Sequence, residues 1–543
     1  MIPKLFKTLN VFHPKINPLP DMRFESHSSS HSKLLVRKIP MPITDFILIG
    51  IGLLSVLMYA ALLVIGSIPP YTLLLLPVLW LVYWIKSSHL SFSTPLDFPL
   101  LGLFLIASLG LLISSKLDLF FPKFSGLAIG VSTYYLIVNF LRYRQRLNSA
   151  IFVLIFLSLV IILLAIFATD WPLGSIPLLD RVYQRLPSLA ESLGGEKINK
   201  NTIGGVLSFF PPLLLSFLWD NGAFSPVKAQ YSGLSNLSEF VYKALVLFTI
   251  ALVLFALLLT QSRGAWLGCA VGVLLLCIWK NKRFLWIIPL LLAIFLVIFI
   301  KYADGSVTQF ISFLDVGRPS TFPGRMEIWQ KTMLMLRDFP VTGIGLGAFG
   351  EVYRQFFSSI IFPLEEDIVY HPHNTLLSVA AEVGIPGLIT YTALLGSLGS
   401  MSWHVLKTKR SINRVLGIGL SAGLVDFFVF GLLDAFTLGR NLEIIFWIFL
   451  GIVTALFVHE EALNSTKASQ KAAESERTNK IFEFTVFKRT IKRILFLIVA
   501  WIFLVLFSLS LVDISIFAAI ISALLLGIAF GIYQTTTYQK PIL

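Results

Sequence analysis

Long apolar segments alternate along this chain with short polar segments, and most of the apolar segments are long enough to cross a bilayer. A helix needs roughly 20 apolar residues to span about 30 Å of hydrocarbon. This pattern predicts spans near residues 45–65, 71–85, 97–114, 120–140, 149–168, 202–219, 241–260, 264–279, 284–300, 375–399, 415–436, 442–458, 493–512 and 514–532. We therefore expect an all-α integral membrane protein, a polytopic helical bundle of about 12–14 transmembrane helices.

The composition supports a membrane location. Hydrophobic residues make up 56% of the 543 positions and charged residues only 13%, a balance that a soluble domain of this length cannot present to water. The two cysteines, Cys269 and Cys277, lie in one apolar segment, so they offer neither a disulfide framework nor a zinc site.

The net charge of +14 indicates topology rather than nucleic-acid binding, because the Lys and Arg residues form short clusters between apolar segments. If the basic segment 1–44 is cytoplasmic and precedes an uncleaved signal anchor, the other basic clusters fall on the same side. Residues 169–201, Arg263 and the long loop 301–374 then fall on the outer side. We expect a multi-pass membrane protein with the long loop on its outer face.

The domain organisation follows from the same pattern. We predict a polytopic transmembrane domain over residues 45–458, a cytoplasmic charged linker over 459–491 and a carboxyl-terminal pair of transmembrane helices over 492–543. Pro211-Pro212 predict a kink in the sixth span. Residues 323–338 carry apolar side chains at helical spacing, which predicts an amphipathic helix inside the long loop.

His373 is the candidate general base. It lies where the long loop meets a membrane helix, and an imidazole titrates near neutral pH, at roughly 6.5. The alternative is an interfacial histidine at a helix start that Asn374 or Thr375 caps. The glycines that follow, Gly384 and Gly387, favour a functional site, because they allow close backbone approach or a helix break that a plain span rarely needs. His371 is interpreted as a neighbour rather than a second base.

Two arginines are candidates for binding a phosphate group. Arg263 lies at a predicted outer boundary, where it either snorkels to the interface or meets a partner. Arg325 opens the loop helix and either pairs with Glu327 or another carboxylate, or binds an anion. Guanidinium groups suit a pyrophosphate because they present paired donors and a fixed charge.

Three ordered motifs are similar to those of the O-antigen ligase and polymerase superfamily. They are Arg263-x-x-x-Leu267, the loop segment Gly324-Arg325 to Trp329 and Pro340-x-x-Gly343-x-Gly345-x-Gly347-x-Phe349, and His373-Asn374-x9-Gly384-x-x-Gly387. The resemblance covers roughly residues 200–400. It implies a metal-independent glycosyltransferase or ligase without a cofactor, in which His373 activates an acceptor hydroxyl and Arg263 and Arg325 hold a departing lipid pyrophosphate.

Two further polar residues join this predicted site. Asn374 is a candidate substrate-binding residue beside His373. Glu382 is also a candidate, because an acid within the apolar layer is commonly functional, although a structural pairing with an arginine is equally compatible with the sequence. The loop acids Asp315, Glu351, Glu365, Glu366 and Asp367 show no metal-ligand spacing.

The resemblance implies transfer of a glycan from undecaprenyl pyrophosphate to an acceptor hydroxyl at the periplasmic face of a bacterial inner membrane. Ligases, polysaccharide polymerases and protein O-oligosaccharyltransferases of the superfamily differ in the acceptor, which is a lipid A core sugar, a growing glycan or a protein. The sequence does not choose among them. A transporter or flippase of lipid-linked sugars is a second class, which the concentration of polar residues at one face disfavours.

Overall fold

The structure is a computed structural model. It describes residues 43–114, 116–141, 144–171, 177–186, 197–219, 236–291, 293–294, 297, 322–356, 369–408, 411–436, 438–439, 442–473 and 516–538. Several predicted segments lie wholly or partly outside these residues. They are most of the segment 1–44, the span 493–512, and parts of the span 284–300, of the long loop and of the linker.

Helices make up almost all of the regular structure. They are α1 Ile43–Ile65, α2 Leu75–Ser87, α3 Asp97–Ile113, α4 Leu117–Leu141, α5 Arg144–Ala168, α6 Pro177–Tyr183, α7 Lys200–Leu207, α8 Phe210–Trp219, α9 Asn236–Leu259, α10 Arg263–Lys280, α11 Phe322–Asp338, α12 Phe349–Phe356, α13 Thr375–Leu406, α14 Ser411–Leu433, α15 Ile444–Ala473 and α16 Ile516–Thr537. Short 3-10 helices cover Pro70–Leu74 and Lys282–Trp286. Two short strands, β1 Thr169–Asp170 and β2 Ile198–Asn199, pair in parallel.

The predicted fold class is confirmed. Within the described residues, 11 helical segments are long and apolar enough to cross a membrane, and Asp97–Ile113 is a shorter apolar helix. The amphipathic loop helix is also confirmed as α11. Because Lys200–Leu218 counts as a single crossing, α7 and α8 together form the sixth predicted span.

That sixth span is broken where the prolines predict it. Helix α7 ends at Leu207 and α8 begins at Phe210, so Pro211 and Pro212 lie in the first turn of α8. Proline is tolerated there because the first amides of a helix have no partner within the helix. Phe209 and Phe210 fill the break and are almost fully buried.

Helix α13, which begins next to His373, is interrupted at Gly384. Gly384 adopts φ 71° and ψ −176°, a conformation essentially restricted to glycine. The interruption frees backbone groups of α13 for the segment that follows α11. The Ile344 N–H donates to the Ala381 carbonyl at 2.8 Å, and the Ile385 N–H donates to the Pro340 carbonyl at 2.8 Å. The loop motif and the histidine motif therefore interlock through their backbones.

Gly343, in the loop motif, is also needed for this contact between the two backbones. A Cβ atom on Gly343 would lie 2.6 Å from the Ala381 carbonyl oxygen, well inside contact distance, and Gly343 also has a positive φ of 64°. Gly343 and Gly384 are thus required for the close approach of two backbones, which explains one glycine of each motif.

Replacing Gly384 with alanine is expected to lower the free energy of unfolding by roughly 1–3 kcal/mol or more, because alanine is strained at this φ and ψ and its Cβ would meet the Val341 carbonyl. Gly399→Ala is the matched control, since Gly399 lies in the same helix and a Cβ added there would have no neighbouring atom within 4 Å. Thermal unfolding of the purified protein in detergent measures both. Equal midpoints for the two variants would contradict this account of the interlock.

Helix α16, the described part of the predicted carboxyl-terminal pair, packs along α13. The Ser397 hydroxyl donates to the Gly531 carbonyl at 2.9 Å, and the Thr535 hydroxyl donates to the Ser397 carbonyl at 3.3 Å. Small residues on α16 permit this approach. Helix α15 continues to Ala473 and so includes the first part of the predicted linker.

Candidate functional site

His373 and Asp434 form a hydrogen-bonded pair at one end of the bundle. The His373 Nδ1 lies 3.0 Å from Asp434 Oδ1. His373 is the last loop residue but one before α13 and has a positive φ of 50°, which is uncommon for a residue other than glycine and is found often at functional sites. Asp434 follows the last residue of α14. The sequence placed His373 in the site and missed Asp434.

Asp434 is held as a carboxylate. Burial alone would raise its pKa, but the hydrogen bond with His373 and the positive charges of His373, His371 and Arg325 outweigh burial and hold the pKa well below its usual range. The Ala435 N–H also donates to Oδ1, at 2.8 Å. An ionised carboxylate only accepts hydrogen bonds, so His373 Nδ1 is the donor. His373 Nε2 therefore keeps a free lone pair when the ring is neutral.

His371 lies beside this pair in a different role. Its Nδ1 accepts the backbone N–H of His373 at 3.2 Å, and its ring packs edge to face against the His373 ring at 4.4 Å between centroids. Its Nδ1 is 3.9 Å from Asp434 Oδ1, beyond hydrogen-bond distance. The geometry supports the interpretation of His371 as a neighbour.

Helix α11 brings Arg325 to the same cluster. The Trp329 indole N–H donates to the carbonyl of Pro372, between the two histidines, at 2.7 Å. Arg325 lies one turn before Trp329 and its charge acts on Asp434. The Arg325 Nε atom is buried, and no hydrogen-bond partner for it is present among the described residues. A buried donor without a partner is rare and suits a bound anion.

Glu327, the alternative partner that the sequence offered for Arg325, forms an ion pair with Lys331 at 2.8 Å. Both residues lie on α11, four positions apart. This pair stabilises the helix locally.

Arg263 begins α10 at the same end of the bundle. The next residue, Gly264, lies against the last turns of α14, where a Cβ on Gly264 would be 3.5 Å from Phe430 and 3.6 Å from Leu433. Leu433 directly precedes Asp434. Arg263 is exposed, so its long side chain can reach over this surface.

Asn374 fixes the geometry of the pair. Its Oδ1 caps α13 by accepting the Leu377 N–H at 3.0 Å, and its Nδ2 donates to the Leu432 carbonyl of α14 at 3.2 Å. The Phe436 N–H donates to the Thr375 hydroxyl at 3.1 Å. The cap that the sequence predicted at Asn374 or Thr375 is thus made by Asn374. The contacts to Leu432 and Phe436, on either side of Asp434, hold His373 opposite Asp434.

Glu382 lies apart from this cluster. It is 1% exposed and forms a buried ion pair with Lys123 of α4, while its Oε1 accepts the Gly347 N–H at 3.3 Å. These contacts tie α4, α13 and the loop that follows α11 to one another. The structure does not bring Glu382 together with His373, and its substrate-binding role stays a prediction.

The same cluster offers three potential metal ligands. One ligand atom each from His371, His373 and Asp434 lies within 4.8 Å of the others. The hydrogen bond from His373 Nδ1 and the neighbouring charge of Arg325 disfavour a cation between them. A metal-free site stays a prediction.

Fold and cluster together define a class: a multi-pass helical membrane protein with a histidine–carboxylate pair and an arginine-bearing loop helix at one end of its bundle. Residues 248–392 match the family described as O-antigen ligase. The resemblance to the O-antigen ligase and polymerase superfamily, a family of glycosyltransferase- and ligase-type enzymes, is confirmed. No curated protein matches the chain significantly. The matched region contains Arg263, Arg325, His373, Asn374 and Glu382, whereas Asp434 lies beyond it.

Proposed function

We propose that this protein transfers a glycan from an undecaprenyl-pyrophosphate carrier to an acceptor hydroxyl, at the periplasmic face of a bacterial inner membrane. The observation that carries the proposal is the His373–Asp434 pair at 3.0 Å, next to the buried Nε of Arg325, which has no hydrogen-bond partner within the described part of the chain. The pair supplies a base, and the guanidinium supplies a binding group for a phosphate.

The reaction begins with proton transfer from the acceptor to the enzyme. His373 Nε2 takes the proton of the acceptor hydroxyl while the oxygen attacks the anomeric carbon of the donor sugar. The bond between that carbon and the phosphate oxygen breaks, and undecaprenyl pyrophosphate departs with the bonding electron pair. Asp434 stabilises the imidazolium that forms, because its carboxylate stays ionised and accepts the Nδ1 proton in a hydrogen bond.

Arg325 and Arg263 act on the leaving group. Negative charge accumulates on the pyrophosphate as the glycosidic bond breaks, and fixed cations that are already in place stabilise it without reorganisation. Arg325 approaches from the loop helix α11 and Arg263 from the start of α10, so the two arginines flank the pair from different elements. This division of roles requires no metal.

A polysaccharide polymerase or a protein O-oligosaccharyltransferase is the alternative within the same superfamily. The base and the leaving-group site are common to all three reactions, and only the acceptor differs. A glycolipid, glycan or protein acceptor is therefore compatible with the same residues.

The test is an assay of the purified full-length protein in detergent, with lipid-linked glycan as donor and a chelator present. We expect the donor to be consumed with release of undecaprenyl pyrophosphate, at a rate that added chelator leaves unchanged. A transporter or flippase has no gradient to act on in detergent and would leave the donor intact. Loss of turnover on chelation, restored by a divalent cation, would contradict the metal-free mechanism.

Replacing Asp434 with asparagine is expected to slow transfer by roughly 100-fold or more, because a neutral amide neither stabilises the imidazolium nor fixes the tautomer of the ring. The pH–rate profile of the variant should also differ from the wild-type profile, because the carboxylate charge beside the base is lost. The Asp434 carboxylate of the wild type has a lowered pKa. It therefore stays ionised near neutral pH, and its own titration does not change the rate there.

Glu351→Gln serves as the control for that profile. Glu351 also has a lowered pKa, about 2, through its hydrogen bonds with Lys116 and Arg354, but it lies on the loop helix α12 and has no contact with the histidines among the described residues. Its profile should match the wild type. A slow Asp434→Asn variant with an unshifted profile would reduce Asp434 to a structural role.

A further inference from the structure

A cleft lies at the far end of the helix pair α10 and α14, which borders the His373 cluster. The cleft has a volume of about 250 Å³ and is lined by Ser216, Leu276, Trp279, Lys280, Arg414, Val415 and Ile418. It lies between α8, α10 and α14. Among the described residues that line it, two are cationic and none is acidic.

The packing of α10 against α14 fixes the position of this cleft. Three glycines of α10 lie against α14. An added Cβ atom would touch Phe430 at Gly264, Asp426 at Gly268 and Ala422 at Gly272. The two helices therefore run antiparallel, and the end of α10 meets the start of α14. Since α10 has 18 residues, the cleft lies about 27 Å along the helix axis from Arg263.

This distance is close to the thickness of the hydrocarbon layer, so the cleft lies at the membrane face opposite to the His373 cluster. It is a separate site, and the pyrophosphate that Arg263 and Arg325 would hold cannot reach it. The predicted topology makes this face cytoplasmic.

The lining is divided along the membrane normal. Leu276 lies one turn before Lys280 and Ile418 one turn after Arg414, and together with the buried Val415 they provide an apolar wall, whereas Lys280 and Arg414 are exposed. Trp279 lies beside Lys280, and tryptophan is enriched at the depth of the lipid headgroups. An amphiphile with an anionic headgroup and an apolar tail matches this arrangement.

The charges and the size favour a lipid phosphate. The two cations that line this small cleft attract an anionic group. Basic pockets between transmembrane helices on the cytoplasmic side commonly bind anionic headgroups. Pockets for soluble small molecules usually have about 300–1,000 Å³, so a headgroup fits this smaller cleft better than a nucleotide or an oligosaccharide.

We propose that the cleft between α8, α10 and α14 binds the phosphate of an anionic phospholipid. Lys280 and Arg414 hold the phosphate, the Ser216 hydroxyl and the Trp279 indole border it, and the first carbons of the acyl chains lie on Leu276, Val415 and Ile418. Because α10 carries Arg263 at its other end and α14 leads into Asp434, a lipid bound here braces the two helices that frame the proposed active site.

The test measures retention of short-chain phosphatidylglycerol by the full-length protein in a neutral detergent, using native mass spectrometry. We expect the wild type to retain this lipid, and the Lys280→Gln/Arg414→Gln variant to bind it at least tenfold more weakly. Phosphatidylcholine and inorganic phosphate should bind the wild type weakly. The variant Ile418→Trp keeps both charges and fills the cleft, so it should also lose the lipid.

The matched control is Lys282→Gln/Arg283→Gln. It removes the same charge from exposed positions of the adjacent 3-10 helix, which does not line the cleft, and it should retain the lipid. Equal losses in the cleft and control variants would show general surface electrostatics and overturn the site. Binding of inorganic phosphate as tight as that of phosphatidylglycerol, or full retention by Ile418→Trp, would overturn the assignment to a lipid.

Discussion

Replacing His373 with alanine is expected to lower the rate of glycan transfer by roughly 100- to 10,000-fold, the usual range for a positioned proton transfer. The acceptor hydroxyl then has no base, because His371 Nδ1 is already occupied by the His373 backbone N–H. Binding of the lipid-linked donor should survive, since the arginines carry that task. Turnover and donor affinity of the purified variant, measured separately, test both statements.

His371→Ala is the comparison for that variant. It removes a neighbouring imidazole of similar exposure but leaves the pair of His373 and Asp434 in place, so its effect should be milder. Cells that depend on His373→Ala should accumulate lipid-linked glycan without transferring it. Near-normal transfer by His373→Ala, or a larger loss in His371→Ala, would remove His373 from the role of base.

Replacing Arg325 with alanine is expected to cost about 100-fold or more in turnover, because the charge that develops on the leaving pyrophosphate loses a preorganised partner. Arg263→Ala should have an effect of similar size. Lysine should restore little activity at either position, since it lacks the paired donors of a guanidinium. Single-turnover kinetics with lipid-linked donor provide the measurement.

Arg337→Ala is the matched control on the same helix. Arg337 lies near the end of α11, where its side chain is 69% exposed and lies 3.7 Å from Asp338. It carries the same charge away from His373, so its removal should leave turnover nearly unchanged. If Arg325→Ala and Arg263→Ala were both folded and fully active, neither arginine would bind the leaving group.

The features of the proposed site that could be predicted from the sequence are those that residues close together in the chain determine. His373, Arg325 and the loop helix could be found because each stands in a short ordered pattern, and Gly384 because glycine marks a conformation that other residues resist. The break at Pro211 follows from the chemistry of a single residue type. These are all properties that neighbouring residues determine.

Asp434 could not be found in the same way. It lies 61 positions after His373, at the end of a span, and its only local signal is an acid at an outer membrane boundary. The Lys123–Glu382 pair joins residues 259 positions apart, so the pattern showed a buried acid but not its partner. Contacts between distant helices depend on how the bundle packs, and no periodicity of a single helix reports them.

The contact between α13 and α16 also sets an order of assembly. The chain enters the membrane from its amino terminus, so the helix that begins beside His373 is inserted long before its partner, whose Gly531 lies 134 positions after Ser397. Until then, the groove on α13 that receives Gly527 and Gly531 must face lipid or another helix. The helix that begins beside His373 therefore reaches its final packing only once the last described helix has been synthesised.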